Sequence, residues 1–532
     1  MQLPLIFQDH MILQRGKEID IWGSAEAGAE VTVSVQKQEK KTTADADGKW
    51  KMKIGPLEAS FSEEVCIAAG EDVTVLHDVQ VGEVWLAGGQ SNMEFHMRYD
   101  ADMKTEKETC TNDAIRFFDY PEVSYVGQID EADYKTNYGF WRKAEPEQLE
   151  RFSAVGYYFA KELQQKYGVP VGIIGCNWGG SPACAWMNEE AVKAGGGQIY
   201  LDEYEEAVKN LDLNAYEEAF RNNPMAWNTD LLGNPMSDLM MFGASEEEFA
   251  ALLSKMGIDP SVLAEGEFFP PMGPKYERRP CGLYESMLKP LAPYGIRGVI
   301  WYQGETDGDT HPEIYKTLFP ELIRTWRNLW NEELPFLFTQ IAPLERWMDC
   351  IGAAYVEIRE AQQITADTVA GTAMASSSDA GMRNDIHPKK KQPIGHRLAL
   401  LAENRVYGED ILCDAPHLVS GRIVQDGVIE LAFANAGTGL YLADHLPDGN
   451  KVDAGRIGGL RILQNGEELP EESLRAEVVQ IDESGLKGSV RISAPAIRAG
   501  IPAEIKLAKT GWYTVNLYNN AGIPAVPGEM TI

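Results

Sequence analysis

Ser91 sits in Gly88-Gly89-Gln90-Ser91-Asn92-Met93, directly after the apolar run Val84-Trp85-Leu86-Ala87. Two glycines closing such a run let the chain turn sharply and present one hydroxyl from an anchored backbone. A second apolar run, Gly298-Val299-Ile300-Trp301-Tyr302, enters the polar turn Gln303-Gly304-Glu305-Thr306-Asp307. A third turn carries Asn384-Asp385-Ile386-His387-Pro388, followed by Lys389-Lys390-Lys391 and a helical run from Ile394. A serine, an amide side chain and an Asp/His pair can supply a nucleophile, an oxyanion donor, a base and its orienter. Nucleophilic catalysis needs those roles, and they need not be close in sequence. Ser91 is the expected nucleophile. Free serine is a weak nucleophile at neutral pH, so it needs a base. His387 is the candidate, with an ordinary imidazole pKa near ~6.5. Asp385 is the expected orienter; Asp379 is its rival, and a dyad helped by a backbone carbonyl is the third option. His96 lies near Ser91 but in no such motif, and His396 falls on the following helix.

These turns require strands to hold them. Residues 81–405 alternate strand and helix patterns, which implies α/β architecture: a mostly parallel sheet in a three-layer α/β/α sandwich. Ser153 to Tyr167 has helical spacing with Gly168 as its stop. Val169 to Cys176 reads as a strand that ends at Asn177-Trp178-Gly179-Gly180-Ser181-Pro182. A Gly-Gly turn there can aim a backbone N–H at a developing oxyanion. Residues 188–282, rich in Glu, Ala, Leu and Met, read as a helical insertion with its own small core, closing on the loop Phe268 to Pro274. Residues 1–80 read as a small β-sandwich-like domain. Val31, Val33 and Val35 alternate with polar residues, and Asp45-Ala46-Asp47-Gly48 marks a hairpin rather than a calcium loop. Residues 406–532 form a second β-rich region, with a last strand expected over Trp512–Tyr518.

The chain has 532 residues, 44% of them hydrophobic, which suffices for several domains with sizeable cores. Lys+Arg 48 against Asp+Glu 81 leaves a formal charge of −33. That field repels nucleic acid and anionic membrane surfaces, and only Lys389-Lys390-Lys391 offers a basic patch. The 7 cysteines have no metal-ligand spacing and read as reduced thiols. The N-terminal residues lack the pattern of a signal peptide, and no stretch reaches transmembrane length, so a cytoplasmic location is expected unless a leader has been trimmed.

Gly89-Gln90-Ser91-Asn92-Met93, Trp301-Tyr302-Gln303-Gly304-Glu305 and Asp385-Ile386-His387-Pro388, in that order, resemble the sialate O-acetylesterase family of the SGNH (GDSL-like) hydrolases. The opening Leu5 to Arg15 and the closing Asn516 to Ala525 resemble that family's start and end. The resemblance implies an SGNH-hydrolase fold and a carbohydrate O-acetylesterase working through an acetyl-serine on Ser91, with no metal or organic cofactor. It also implies an oxyanion hole from the Ser91 N–H, the Gly180 (or Gly179) N–H and the Gln303 amide. Gln90, Asn92 and Glu305 would support the turns, and Trp178 or Trp301 would wall a small acetyl pocket. The superfamily usually places the acid three residues before the histidine; here position 384 is Asn and the acid stands two before, as Asp-Ile-His. The expected partner is an acetylated carbohydrate, and a homodimer is compatible with the chain. An acetyl xylan or other hemicellulose acetylesterase is the nearest alternative reading, and a catalytically dead sugar-binding protein is the alternative of another class.

Overall fold

The computed structural model describes residues 1–134, 136–223, 226–227, 229–230, 232, 235–243, 245–255, 259–261, 271–481 and 487–532. The chain divides into two compact units: Met1–Gln303 with Thr317–Phe336, and Gly304–Lys316 with Leu337–Ile532. It is an α/β protein with a central, mostly parallel sheet and β-rich regions.

The first unit opens with seven strands: β1 (Ile12–Gln14), β2 (Ile19–Ser24), β3 (Glu30–Val35), β4 (Gln38–Thr43), β5 (Lys49–Ile54), β6 (Ser60–Ala69) and β7 (Asp72–Gly89). Val31, Val33 and Val35 on β3 are buried while their neighbours are not, as the period-2 pattern requires. In the turn before β5 the Asp45 carboxylate accepts the N–H groups of Asp47 and Lys49, at 2.9 and 2.8 Å, so it serves the hairpin itself.

β7 is 18 residues long and does two jobs. Its first part pairs antiparallel with β6 and is half exposed; from Val79 to Gly89 every residue is buried. That second part is the spine of the parallel sheet. β8 (Asn112–Asp119), β9 (Trp141–Ala144), β10 (Val171–Asn177) and β11 (Gly298–Tyr302) complete the order β11-β7-β10-β8-β9, with only β9 antiparallel. The helix Ala154–Tyr167 is capped by the Ser153 hydroxyl, which accepts the Gly156 N–H, and stops at Gly168 in the left-handed region. Phe159 on this helix meets Trp85 of β7 edge-on at 5.0 Å.

Register decides where the turns emerge. Gly89 of β7 pairs with Asn177 of β10 and with Tyr302 of β11. Three parallel strands therefore end level, and the segments after them leave from the same carboxyl edge, where open α/β sheets carry their reactive groups.

Within 188–282 the described helices are Glu189–Ala194, Gln198–Val208, Leu213–Asn222, Pro235–Phe242 and Glu246–Lys255. Tyr216, Phe220 and Ala226 share a small apolar cluster there. Phe268, Phe269 and Pro270 of the expected loop lie outside the described residues.

In the second unit β12 (Phe336–Thr339) lies beside β15 (Thr372–Ala375); the short hairpin of β13 (Arg346–Trp347) and β14 (Cys350–Ile351) comes between them in sequence. The helices Tyr355–Thr368 and Gln392–Arg405 flank β15 in sequence. Two four-stranded antiparallel sheets follow. One runs His417–Gln425, Val428–Ala434, Lys487–Ser493, Arg475–Ile481; the other runs Glu467–Glu468, Leu460–Gln464, Ala503–Leu507, Gly528–Thr531. Leu431, Phe433 and Val490 of the first share one apolar core with Ile462 and Ile505 of the second. The strand expected over Trp512–Tyr518 is confined to Leu517–Asn519. Its earlier residues are held by separate bonds instead of a ladder: the Val515 N–H donates to the Ser378 carbonyl, Asn516 donates through its side chain to the Ala443 carbonyl, and the Thr510 hydroxyl donates to the Trp512 carbonyl.

Candidate active site

In the first unit the serine turn is built by what glycine alone allows. Gly89 has φ +137°, and a Cβ on it would stand 2.1 Å from the Tyr302 carbonyl oxygen. The backbone can thus press against β11, and the Gln90 N–H donates to that same carbonyl at 3.0 Å. One helical turn, Ser91–Glu94, follows; the Glu94 N–H donates to the Gln90 carbonyl and the Phe95 N–H to the Ser91 carbonyl. Ser91 is 8% exposed, while Gln90 and Asn92 are buried beside it.

The turn after β10 is tied to the serine turn at several points. Asn177 Nδ2 donates to the Ala87 carbonyl at 3.0 Å, and the Trp178 N–H donates to the Gly89 carbonyl at 3.1 Å. Gly179 passes so close that a Cβ on it would lie 3.3 Å from Ser91 Cβ. Gly180 takes φ +73°. Gln303, fully buried at the end of β11, donates through Nε2 to the Ser181 carbonyl at 3.2 Å. Ser91, Gly179, Gly180 and Gln303, read from three separate stretches of sequence, are thus brought together.

Glu94 is a participant that sequence reasoning passed over. Its Oε2 accepts the Gly179 N–H at 2.5 Å, so that N–H is committed to a carboxylate. Burial pushes the Glu94 carboxyl up to about 7, against the lowering pull of His96. The available signal was only an acid three residues after Ser91, in the mixed stretch Gln90-Ser91-Asn92-Met93-Glu94-Phe95-His96. His96 is buried, with Nε2 3.9 Å from Asp119 Oδ2. Trp178 is 9% exposed, whereas Trp301 has no exposed surface. Trp301 meets Trp326 edge-on at 5.3 Å and Trp186 at 6.5 Å, which makes it a core support beneath the turns.

The second unit holds the Asp/His turn, between β15 and the helix Gln392–Arg405. Asp385 Oδ1 accepts the His387 backbone N–H at 2.8 Å and stands 3.6 Å from His387 Nδ1, just beyond hydrogen-bond length. Its Oδ2 lies 2.8 Å from Lys389 Nζ. Burial pulls the imidazole down to about 4, opposed by the Asp385 charge. The Asp385 carboxyl is held below the usual range: burial raises it, and His387 and Lys389 more than offset that. Trp347 meets the His387 ring edge-on at 5.1 Å. The lysine run is not a surface patch, since Lys389 turns to Asp385 and Lys391 is fully buried.

Asp379 has a different environment. Arg397 grips it with two bonds of 2.7 and 2.6 Å, and the Tyr518 hydroxyl donates to it at 2.9 Å. Its oxygens are occupied by a buried ion pair, whereas Asp385 is adjacent to the histidine ring. Glu305 is 2% exposed at the start of the helix Glu305–Thr310.

Residues 274–402 match the family model described as carbohydrate esterase, sialic acid-specific acetylesterase. That span contains Gln303, Asp379, Asp385 and His387. The mouse sialate O-acetylesterase is 28% identical over 440 residues, covering 75% of this chain and 72% of its own. This chain is similar to the sialate O-acetylesterases. The human sialate O-acetylesterase is 24% identical over 433 residues, covering 73% of this chain and 68% of its own. The crystal structure of a carbohydrate acetylesterase from Xanthomonas citri superposes with a TM-score of 0.71 at 27% identity, covering 99% of both chains. The likeness to the Xanthomonas citri structure thus extends over the N-terminal strands and the two C-terminal sheets as well as the matched segment.

Proposed function

We propose that this protein is a carbohydrate O-acetylesterase of the SGNH-hydrolase type, a three-layer α/β/α sandwich with a helical insertion and flanking β-rich domains. It removes O-acetyl groups from sugars of the sialate class. The observation that carries the reading is the level ending of β7, β10 and β11, which gathers Ser91, Gly179, Gly180 and Gln303 on one edge.

Ser91 Oγ attacks the acetyl carbonyl as its proton passes to His387. The tetrahedral oxyanion takes hydrogen bonds from the Ser91 N–H, the Gly180 N–H and the Gln303 amide; one such donor contributes about 3–4 kcal/mol. Gly179 is not among them, because its N–H is held by Glu94. The sugar hydroxyl leaves with the proton from His387, forming acetyl-Ser91. Water, deprotonated by His387, then releases acetate and restores Ser91. Asp385 orients the imidazole and stabilises its charged form. The lowered imidazole pKa keeps His387 unprotonated and ready at neutral pH.

Acetate release from O-acetylated sialic acid, acetylated xylo-oligosaccharides and acetylated manno-oligosaccharides, followed against pH, tests the reading. Release from the sialate is expected. Its kcat/KM should hold level below neutrality and fall only as pH passes down through about 4, where His387 takes up a proton. The same sign applies to stability. A histidine whose folded pKa is depressed contributes fully above its unfolded value of ~6.5 and loses that contribution as pH drops towards the folded one. Release from the xylo-oligosaccharides alone would move the assignment to a hemicellulose acetylesterase, and an acid limb near ~6.5 would contradict the base assignment. No release from any substrate would leave the sugar-binding reading.

A further inference from the structure

Two glycines in succession leave the turn after β10 free to move, yet the proposed acyl transfer needs one of its N–H groups fixed. The Ser181 N–H donates to the Trp178 carbonyl at 3.3 Å, which closes a four-residue turn around Gly179 and Gly180. Gly180, third in that turn, takes φ +73°, as type II geometry demands. The peptide joining the two glycines carries the Gly180 N–H, and neither glycine has a side chain to hold it. The ends of the turn are tied by the Trp178 N–H to the Gly89 carbonyl at 3.1 Å and by Gln303 Nε2 to the Ser181 carbonyl at 3.2 Å. Between those ends Glu94 grips the chain. Its Oε2 accepts the Gly179 N–H at 2.5 Å, and a Cβ on Gly179 would lie 3.2 Å from the same oxygen.

Glu94 stands on the same single helical turn as the nucleophile, Ser91–Glu94, and its own N–H donates to the Gln90 carbonyl at 3.0 Å. One rigid turn therefore carries both the serine and the acceptor that holds Gly179, and a shared support fixes their relative positions. The place is a costly one for an acid. Glu94 is 5% exposed; burial raises its carboxyl, His96 lowers it and Asp119 raises it further. His96 Nε2 stands 3.9 Å from Asp119, and His96 Nδ1 is buried with no hydrogen-bond partner among the described residues. A leucine would be easier to bury at such a position, so the acceptor oxygen is what the acid supplies. A neutral carboxyl keeps a carbonyl oxygen that accepts, so the hold survives protonation and adds no acid limb to that of His387.

We infer that Glu94 is a positioning residue: by accepting the Gly179 N–H it locks the double-glycine turn to the serine turn, so that the Gly180 N–H points at the oxyanion formed on Ser91. This inference rests on the proposed acetyl-serine mechanism and adds to it the group that keeps nucleophile and oxyanion donor in register.

The test uses E94L, E94D and E94Q in the full chain. For each, kcat and KM are measured on O-acetylated sialic acid and on 4-nitrophenyl acetate, together with an unfolding midpoint. E94L removes the acceptor, and E94D draws the carboxylate back by one methylene. Both should lower kcat about 10- to 100-fold with KM little changed, less than the ~10²–10³ for deleting an oxyanion donor, because the Gly180 N–H is displaced rather than lost. The factor should be the same on both esters, since the oxyanion is common to them. E94Q, which keeps an acceptor oxygen, should recover most of the loss. The E94L midpoint should stay near that of wild type, since removing a buried carboxyl offsets leaving the Gly179 N–H unpaired; should E94L fail to fold, E94D decides. A merely structural role would lower the midpoint and leave kcat per folded molecule unchanged, and that result overturns the inference. So does E94Q losing as much as E94L, or a loss confined to the sialate, which would mark a sugar contact. In all three cases Ser91→Ala still abolishes release, whereas release that survives Ser91→Ala fails the acetyl-serine mechanism itself.

Discussion

Ser91→Ala should reduce acetate release to background, a loss on the order of 10⁴-fold or more in kcat, in a protein that still folds. The effect is large because the hydroxyl is the atom that forms the acyl bond. Once it is gone, the oxyanion donors can act only on direct attack by water. Folding should survive because the turn is held by backbone groups: Gln90 N–H to Tyr302, Glu94 N–H to Gln90, Phe95 N–H to Ser91. His387→Ala should cost about as much, and the double variant little more than either alone, since nucleophile and base act as a unit. The measurements are kcat for the three variants and an unfolding midpoint for each. Substantial turnover by Ser91→Ala, or losses that simply multiply in the double variant, would remove Ser91 from its proposed role.

Asp385→Asn and Asp379→Asn should fail in opposite ways. Asp385 touches the histidine backbone, lies near its ring and pairs with Lys389. An amide in its place retains an acceptor oxygen but supplies no charge to stabilise the imidazolium, and kcat should fall about 10³- to 10⁴-fold. Asp379, by contrast, neutralises Arg397, whose side chain is 3% exposed. Breaking a buried pair by removing one partner costs about 3–5 kcal/mol of stability, because the other charge is left stranded. Asp379→Asn should therefore lower the unfolding midpoint strongly, with turnover per folded molecule close to wild type. Strong loss of turnover in Asp379→Asn, with Asp385→Asn near wild type, would exchange the two assignments.

The strand ends that frame the candidate site were legible because burial and glycine leave clear marks. Val84 to Ala87 and Val299 to Tyr302 are unbroken apolar runs, as strands buried on both faces must be, and the glycines after them stand where Cβ atoms would collide. Ser153 and Gly168 bracket their helix by local capping alone. Other features depend on contacts between distant residues. β7 continues unbroken through residue 80 because its first part is an antiparallel partner of β6, a pairing that composition does not encode. Glu94 could be seen as an unusual acid, but its bond to Gly179 comes from a turn 85 residues away. Lys389-Lys390-Lys391 reads as a short basic patch, yet the Asp385 carboxylate draws Lys389 inward. Acetyl specificity predicts a small pocket walled by Trp178 or Trp301, and three-dimensional packing puts Trp301 among other rings.

The central claim is that Ser91 is the acyl-accepting nucleophile, and stoichiometric labelling tests it most directly. The full chain is incubated with a fluorophosphonate that reacts with activated serines, residual acetate release is followed, and the modified peptide is located by mass spectrometry. The expected result is activity lost in proportion to one label per chain, carried on Ser91 and absent from the Ser91→Ala protein. Loss of activity with the label on another residue, or full activity with Ser91 modified, would contradict the assignment.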